Sequence, residues 1–452
     1  MNGGLLKSAS AVAIFAAAGL FASANAADLG GDCCADLEER VAELEATTVR
    51  KGNRKVRVTL SGFVGHQVMW WDDGARSDMY IGDGGNIFSR FRFTGDAKIS
   101  PQVSAGFTYE FGIHNNNIGA TTQQMGADGT LNGDDLGGAV SLRDSTVWIE
   151  HRQMGRIKIG HGSTSTDNLI LIDLGGKGAA STPDLGLYHG AMRLTQGGII
   201  TGTPGAVNTV TWANMYLGGE SWDTSRRNHV MYQSPTLVGF TLQAAVAEDN
   251  YWDVALRYAG EFGGFRLAGG IGYQENSEFN HTALPNQPAQ ALAFPSATSC
   301  AAVNDCQRTE TQLKGSASIL HVPTGLFLTG AAGTRETENA TQLAGPAGNT
   351  NVDSAFWYLS GGISQNFFGI GKTVLFGEYS EHTDALRLVY NDVTDSTATQ
   401  WGVGIVQHVD AAAMEVFATY KNVEADITTV GGNKVNGLGD FSTVIVGTRI
   451  NF

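Results

Sequence analysis

The chain has 452 residues, 60 of them glycine and only 9 proline, and 16% of its residues are charged. This composition excludes proline-rich low-complexity and collagen-like chains, and a net charge of −15 withholds the basic footprint a general nucleic-acid binder needs. Beyond the extreme N-terminus, no stretch supplies the ~20 apolar residues of a membrane-spanning helix.

Residues 1–26 have the layout of a secretory signal: Lys7, an apolar run Ala9–Ala22, and the small-residue cleavage pattern Ala24-Asn25-Ala26. The mature chain is expected to begin at Ala27. Export makes disulfides permissible. Cys300 and Cys306, close together in a polar stretch, form a candidate loop disulfide; adjacent Cys33 and Cys34 either bond between subunits or stay reduced. Neither pair has a second ligand pair at zinc spacing.

From 34 to 48, Cys34, Leu37, Val41, Leu44 and Thr48 recur at spacings of 3 and 4 with acidic residues outside the seam, which predicts a short coiled-coil helix. At ~22 Å it is too short to persist alone in water. It therefore packs on other copies, through Cys34, Leu37, Val41 and Leu44, or on the body of its own chain.

From Val56 onward the period is two. Arg57, Thr59, Ser61 and Gln67 alternate with Val58, Leu60, Val64 and Val68; Arg90, Arg92, Thr94, Asp96 and Lys98 alternate with Phe91, Phe93 and Ala97; Val103, Ala105, Phe107, Tyr109 and Phe111 alternate with Ser104, Thr108 and Glu110. Sixteen such segments are predicted, starting near 55–71, 87–99, 103–114 and 141–152 and ending near 398–410, 413–425 and 440–452. Their connections alternate in kind. Tight ones such as 100–102, 153–155 and 263–264 are interleaved with long polar ones, of which 163–227 is the longest; only 248–250 breaks the rule. Short turns on one rim and long loops on the other predict an all-β transmembrane fold: a sixteen-stranded antiparallel up-and-down β-barrel over 55–452. Closure follows because lipid offers no partner to an edge N–H or C=O. Tyr109, Tyr258, Tyr273, Tyr358, Tyr379, Trp401 and Tyr420, near strand ends, are expected at the membrane interfaces.

Other motifs lead nowhere. Gly369-Ile370-Gly371-Lys372-Thr373 lies in a strand-to-strand turn and lacks the first phosphate-loop glycine. Ser163 follows His161 without a nucleophile elbow or carboxylate. No cofactor is expected; the stretch from Asp128 to Gly133 opens like a calcium loop but has Ala139 where the closing glutamate belongs, and is kept as a weak calcium candidate.

The chain resembles the general porins of Gram-negative bacteria, closest to alphaproteobacterial porins with a short coiled coil before the barrel. The likeness is carried by Cys33-Cys34-Ala35-Asp36-Leu37-Glu38-Glu39-Arg40, by Arg50-Lys51-Gly52-Asn53-Arg54-Lys55-Val56, by Ser89-Arg90-Phe91-Arg92-Phe93, by Met154-Gly155 before Ile157-Lys158-Ile159-Gly160, and by Tyr232-Gln233-Ser234-Pro235 with Gly239-Phe240. The resemblance implies homotrimers in the outer membrane, contacting its lipid and lipopolysaccharide, and a passive diffusion pore narrowed by an inward third loop. It makes 27–54 a periplasmic segment. Terminal Phe452 becomes a signal for the barrel-assembly machinery, and Ala27 a candidate for attachment to peptidoglycan. The pore constriction would then set Asp167, Asp173 and Asp184 of loop 163–227 against Arg57, Arg90, Arg92, Lys98, Arg143 and Lys158. His161 stands where the family pattern often has arginine, which would make the neck's charge titrate near neutrality. No aromatic ladder for a specific solute is in phase along the lumen.

Overall fold

A computed structural model describes residues 55–113, 117–123, 140–197, 210–217, 221–223, 226–248, 250–277, 309–338, 351–390 and 393–452. The signal segment with Ala27, the amphipathic stretch 34–48 with Leu37, Val41 and Leu44, the calcium-like stretch, and Cys33, Cys34, Cys300 and Cys306 lie outside these residues.

The strands, in chain order, are β1 (Arg57–Asp72), β2 (Ser77–Gly82), β3 (Arg90–Lys98), β4 (Val103–Ile113), β5 (Val140–His151), β6 (Gly155–Gly162), β7 (Arg227–Gln233), β8 (Phe240–Ala247) and β9 (Tyr251–Phe262). There follow β10 (Phe265–Asn276), β11 (Thr309–His321), β12 (Leu326–Glu338), β13 (Val352–Gln365), β14 (Thr373–Thr383), β15 (Val393–Val409), β16 (Met414–Thr429), β17 (Asn433–Lys434) and β18 (Phe441–Asn451). Sixteen of them form a closed antiparallel ring; β2 only continues the wall beside the outer half of β1, and β17 is a two-residue addition to β16. The ring shuts where β18 meets β1, from Phe63↔Asn451 to Asp72↔Ser442. Phe452 extends that seam by exchanging backbone hydrogen bonds of 2.8 and 3.0 Å with Gly62. A side chain at Gly62 would meet the Arg90 carbonyl and the Phe452 ring, so glycine is required for the close approach.

Short turns hold one rim. At β9–β10 the whole connection is Gly263-Gly264, both with positive φ (58° and 83°), as a two-residue hairpin turn demands. The two faces of the wall are inverted relative to a soluble protein. Val64, Trp70, Val147, Ile159, Leu328 and Val403 point outward and are exposed, whereas Gln67, Glu110, Gln400 and Lys421 point into the lumen and are buried. Apolar outside and polar inside is the requirement of a barrel whose outer solvent is lipid. Rings pair along the outer face, as in Trp357–Tyr379, Trp401–Tyr420 and Trp252–Tyr273.

Two expectations are corrected by phase. Tyr358 faces the lumen, 2% exposed, against Lys177 and Glu378. His161 pairs with Ser145 in the outward row that also holds Val147 and Ile159, so it does not enter the pore.

The connection from β6 to β7 turns inward and runs inside the barrel. It carries two short helices, Gly186–His189 and Trp212–Leu217. Its Leu185, Tyr188, Met192, Trp212, Met215 and Tyr216 pack into one buried apolar cluster with lumen-facing Met69, Trp71, Phe327, Phe376, Phe417, Phe441 and Ile445. On that side the lumen is filled by a protein core. The apolar lumen positions exist because a loop, not water, covers them.

Candidate pore constriction

The candidate constriction starts from three adjacent strands. Arg90 and Arg92 lie two residues apart on β3, hence on one face, and Arg92 stands directly opposite Glu110 of β4. On β5 the register slips: Glu110 faces Asp144 while Phe111 faces Leu142, leaving Arg143 as the extra residue of a β-bulge. Bulges re-aim side chains, and this one brings a third guanidinium to the same carboxylate. Nε of Arg92 donates to Glu110 at 2.7 Å and Nε of Arg143 at 2.8 Å, while Arg90 approaches to 3.6 Å. The Arg90 guanidinium also covers the Phe63 ring, 4.7 Å from its centre. Glu110 is fully buried, whereas the three arginine side chains remain 16–22% exposed. Glu110 and the buried Asp144 opposite it set two carboxylates against the three cations, so the patch keeps net positive charge toward the lumen. Facing lipid instead, each arginine would cost ~2–4 kcal/mol at mid-membrane.

The loop is held against the opposite wall by side chains that reach across long sequence distances. Asp253 of β9 accepts the backbone N–H groups of Ser165 and Thr166, at 3.2 and 2.8 Å. Arg257 of the same strand donates to the carbonyls of Ser165 and Asp167 at 2.9 and 2.7 Å. Lys314 on β11 donates to the Trp222 carbonyl at 2.9 Å, and Arg335 on β12 to that of Leu217. Farther round, Lys421 of β16 and Glu378 of β14 form a buried ion pair that Ser181 of the loop joins through its hydroxyl. Arg257, Lys314 and Arg335 are thereby matched to loop carbonyls, whereas Arg90, Arg92 and Arg143 of β3 and β5 and Arg449 of β18, paired with Glu415, stay partly open.

The residues expected at a constriction are therefore divided. Arg90, Arg92 and Arg143 come together. Lys158 is half-buried beneath the loop's start, its Nζ donating to the Ser163 carbonyl at 2.9 Å. Arg57 and Lys98 do not join them: Arg57 sits at the short-turn rim, 71% exposed and 3.5 Å from Asp96, and Lys98 ends β3 at that same rim. Asp167 is buried at the loop's base. Asp173 closes a turn by accepting the N–H groups of Gly176 and Lys177 and receives the Thr329 hydroxyl at 3.1 Å. Asp184 is buried, accepts the Ser221 hydroxyl at 3.3 Å, and burial pushes its carboxyl up to about 6. Asp173 is thus a loop fastener and Asp184 a buried carboxyl, and neither offers a free acidic face.

Glu110, Asp253, Arg257, Lys314, Glu378 and Lys421 were not among the expected site residues. Glu110 occupies the polar row of β4, so its lumen position is readable, but its pairing with Arg92 depends on register. A continuous series of rings also crosses the lumen: Trp71, Phe441, Trp212, Tyr216, His382, Phe356 and Trp222, with successive centres 4.7–6.3 Å apart. All seven are buried, so they hold the loop and offer no track to a solute.

A closed barrel of this width, apolar outside, with an inward loop opposing a cationic wall, defines a membrane channel. A family model described as Gram-negative porin matches residues 9–438, and the chain belongs to that family. It is an outer-membrane porin, a channel for passive diffusion. Among solved structures it is similar to the anion-selective porin from Comamonas acidovorans, at 16% identity over 88% of this chain and 100% of that one, with a TM-score of 0.53. It is also similar to in-vitro folded OmpT, an outer membrane protein of Vibrio cholerae, at 13% identity over 90% of this chain and 99% of that one, TM-score 0.51. At such identities the likeness establishes the fold alone. No curated protein matches the sequence.

Proposed function

We propose that this porin is a general diffusion channel for small hydrophilic solutes whose neck, formed by Arg90, Arg92 and Arg143, favours anions. The observation that carries the reading is the sharing of one buried carboxylate by three guanidiniums. Fixed donors at the neck replace part of the hydration shell of a passing anion, whereas a cation meets net repulsion in a narrow aqueous space where charge is weakly screened. The porin from Comamonas acidovorans, which shares the fold, is anion-selective, in agreement with this reading. Reversal potentials in planar bilayers under a potassium chloride gradient test it. The wild type should pass chloride in preference to potassium, and Arg92→Ala or Arg143→Ala should move the ratio toward unity. Cation preference in the wild type, or variants with unchanged selectivity and conductance, would remove these residues from the neck.

The remaining readings complete the proposal. The chain acts as a non-enzymatic homotrimer of alphaproteobacterial type, exported by the signal in 1–26 and embedded in lipid and lipopolysaccharide. Residues 34–48 clasp the subunits together in the periplasm. Phe452 addresses the barrel-assembly machinery, and Ala27 links to peptidoglycan. The exposed outer rows support the lipid contact, and the position of Phe452 on the closing seam supports its role in assembly.

A further inference from the structure

One lumen-facing step below the arginines, four threonines stand side by side. Thr59 of β1 is opposite Thr94 of β3, Thr94 is opposite Thr108 of β4, and Thr108 is opposite Thr146 of β5. Their facing is fixed by neighbours two residues away: Thr94 follows Arg92, Thr108 precedes Glu110, Thr146 follows Asp144, and Thr59 precedes Ser61, itself opposite Arg92. The rung lies two residues, about 7 Å of backbone rise, from the Arg92–Glu110 pair toward the short-turn rim. Thr146 donates its hydroxyl to Asp144 at 2.6 Å. The side chains of Thr59, Thr94 and Thr108 have no hydrogen-bond partner among the described residues. Thr59 is exposed, Thr94 half-buried, and Thr108 and Thr146 are buried behind them.

The two layers differ in hydrogen-bonding capacity. Guanidiniums only donate; Glu110 is already occupied by all three, and Asp144 opposite it is buried and receives the Thr146 hydroxyl. They can hold an anionic group but cannot satisfy the O–H donors of the same solute. Threonine hydroxyls accept as well as donate, and they add no charge. We infer that the neck is built for hydroxylated organic anions, sugar acids above all, whose carboxylate rests on Arg92 and Arg143 while its hydroxyls exchange water for Thr94 and Thr59. A rung one lumen-facing step, about 7 Å of backbone, from the arginine row suits a solute of roughly six carbons. This inference rests on the anion-preferring reading of the same neck and adds the class of anion.

Bi-ionic reversal potentials between potassium glucarate and potassium adipate test it, because the two dianions have equal carbon number and differ only in their hydroxyls. Free diffusion favours the smaller adipate. The wild type should instead pass glucarate about threefold better, the size of a modest net hydrogen-bond gain. Thr59→Val/Thr94→Val, which keeps shape and strand propensity, should bring the ratio to one or below, and Thr94→Ser should retain the preference. A wild-type ratio at or below one, or a ratio the double valine variant leaves unchanged, would overturn the inference. Chloride-over-potassium selectivity in the same bilayers separates the two levels. If it holds while glucarate shows no advantage, the hydroxyl rung alone fails; if it is absent, the cationic neck fails with it.

Discussion

Removing the ammonium of Lys421 should free the tip of the inward loop without opening the barrel. Lys421 is fully buried; its Nζ is shared between the Glu378 carboxylate and the Ser181 hydroxyl, the latter at 2.9 Å, and lies 4.4 Å from the centre of the Tyr188 ring. Glu378 also receives the Tyr358 hydroxyl at 2.7 Å and the Gln400 amide at 3.0 Å. In Lys421→Met those neutral donors remain, but a buried carboxylate loses its ion partner, a change that costs about 3–5 kcal/mol where pairs are broken on one side only. Docking of 177–181 should weaken by that amount, while the barrel keeps its strand-to-strand hydrogen bonds. The amides of Ala180 and Ser181, both bonded to the Lys177 carbonyl, report this directly. Their hydrogen exchange should accelerate a hundredfold or more, with brief closures in single-channel records. Lys421→Met/Glu378→Gln removes both charges and should recover most of the protection. Unchanged exchange in the single variant, or a double variant no better protected, would refute the view that this pair fastens the loop.

Asp184 supplies a pH dependence. Its carboxyl is raised by burial to about 6 in the docked loop, above the ordinary value, so docking is favoured at low pH and that contribution is lost as pH rises through about 6. Asp184→Asn should therefore tighten the loop at pH 7.5 by on the order of 3 kcal/mol and have little effect at pH 4; loosening at both values in exchange measurements would contradict this. Gly62→Val places a Cβ against the Arg90 carbonyl at the closing seam and should sharply lower the yield of heat-resistant folded barrel on gels; normal yield would mean the seam is not limiting. Deleting 34–48 should lower the temperature at which trimers dissociate, and identical melting would show that the segment is no clasp.

The barrel was legible because lipid imposes its demand locally. Alternation in 88–99 and 103–111 needs no knowledge of partners, and it placed Arg90 and Arg92 in the lumen correctly. What was not legible is what depends on register or on distant contacts. Arg143 reaches Glu110 only through the bulge between Asp144 and Leu142, which no periodicity predicts. Asp173 and Asp184 are typical of a pore-facing acidic loop by residue type, but the Asp173 oxygens are taken up by a turn and by the hydroxyl of Thr329, 156 residues away, and Asp184 is buried beside the Ser221 hydroxyl. Tyr358 was misplaced because an aromatic residue serves equally well at a membrane interface or beneath a loop lysine. Arg57 and Lys98 have the right phase but the wrong height: phase gives the face, and only pairing gives the level along the pore.

The most direct test of the lumen-and-lipid assignment uses two neighbouring residues on β3. In a chain from which the native cysteines have been removed, Arg92→Cys and Phe93→Cys are each recorded in planar bilayers while a water-soluble, negatively charged thiol reagent is added. Modification at position 92 should reduce conductance and anion preference, and the reagent should leave the channel with Cys at position 93 unaffected. Block at position 93 with none at position 92 would place the arginine row against lipid and contradict the account.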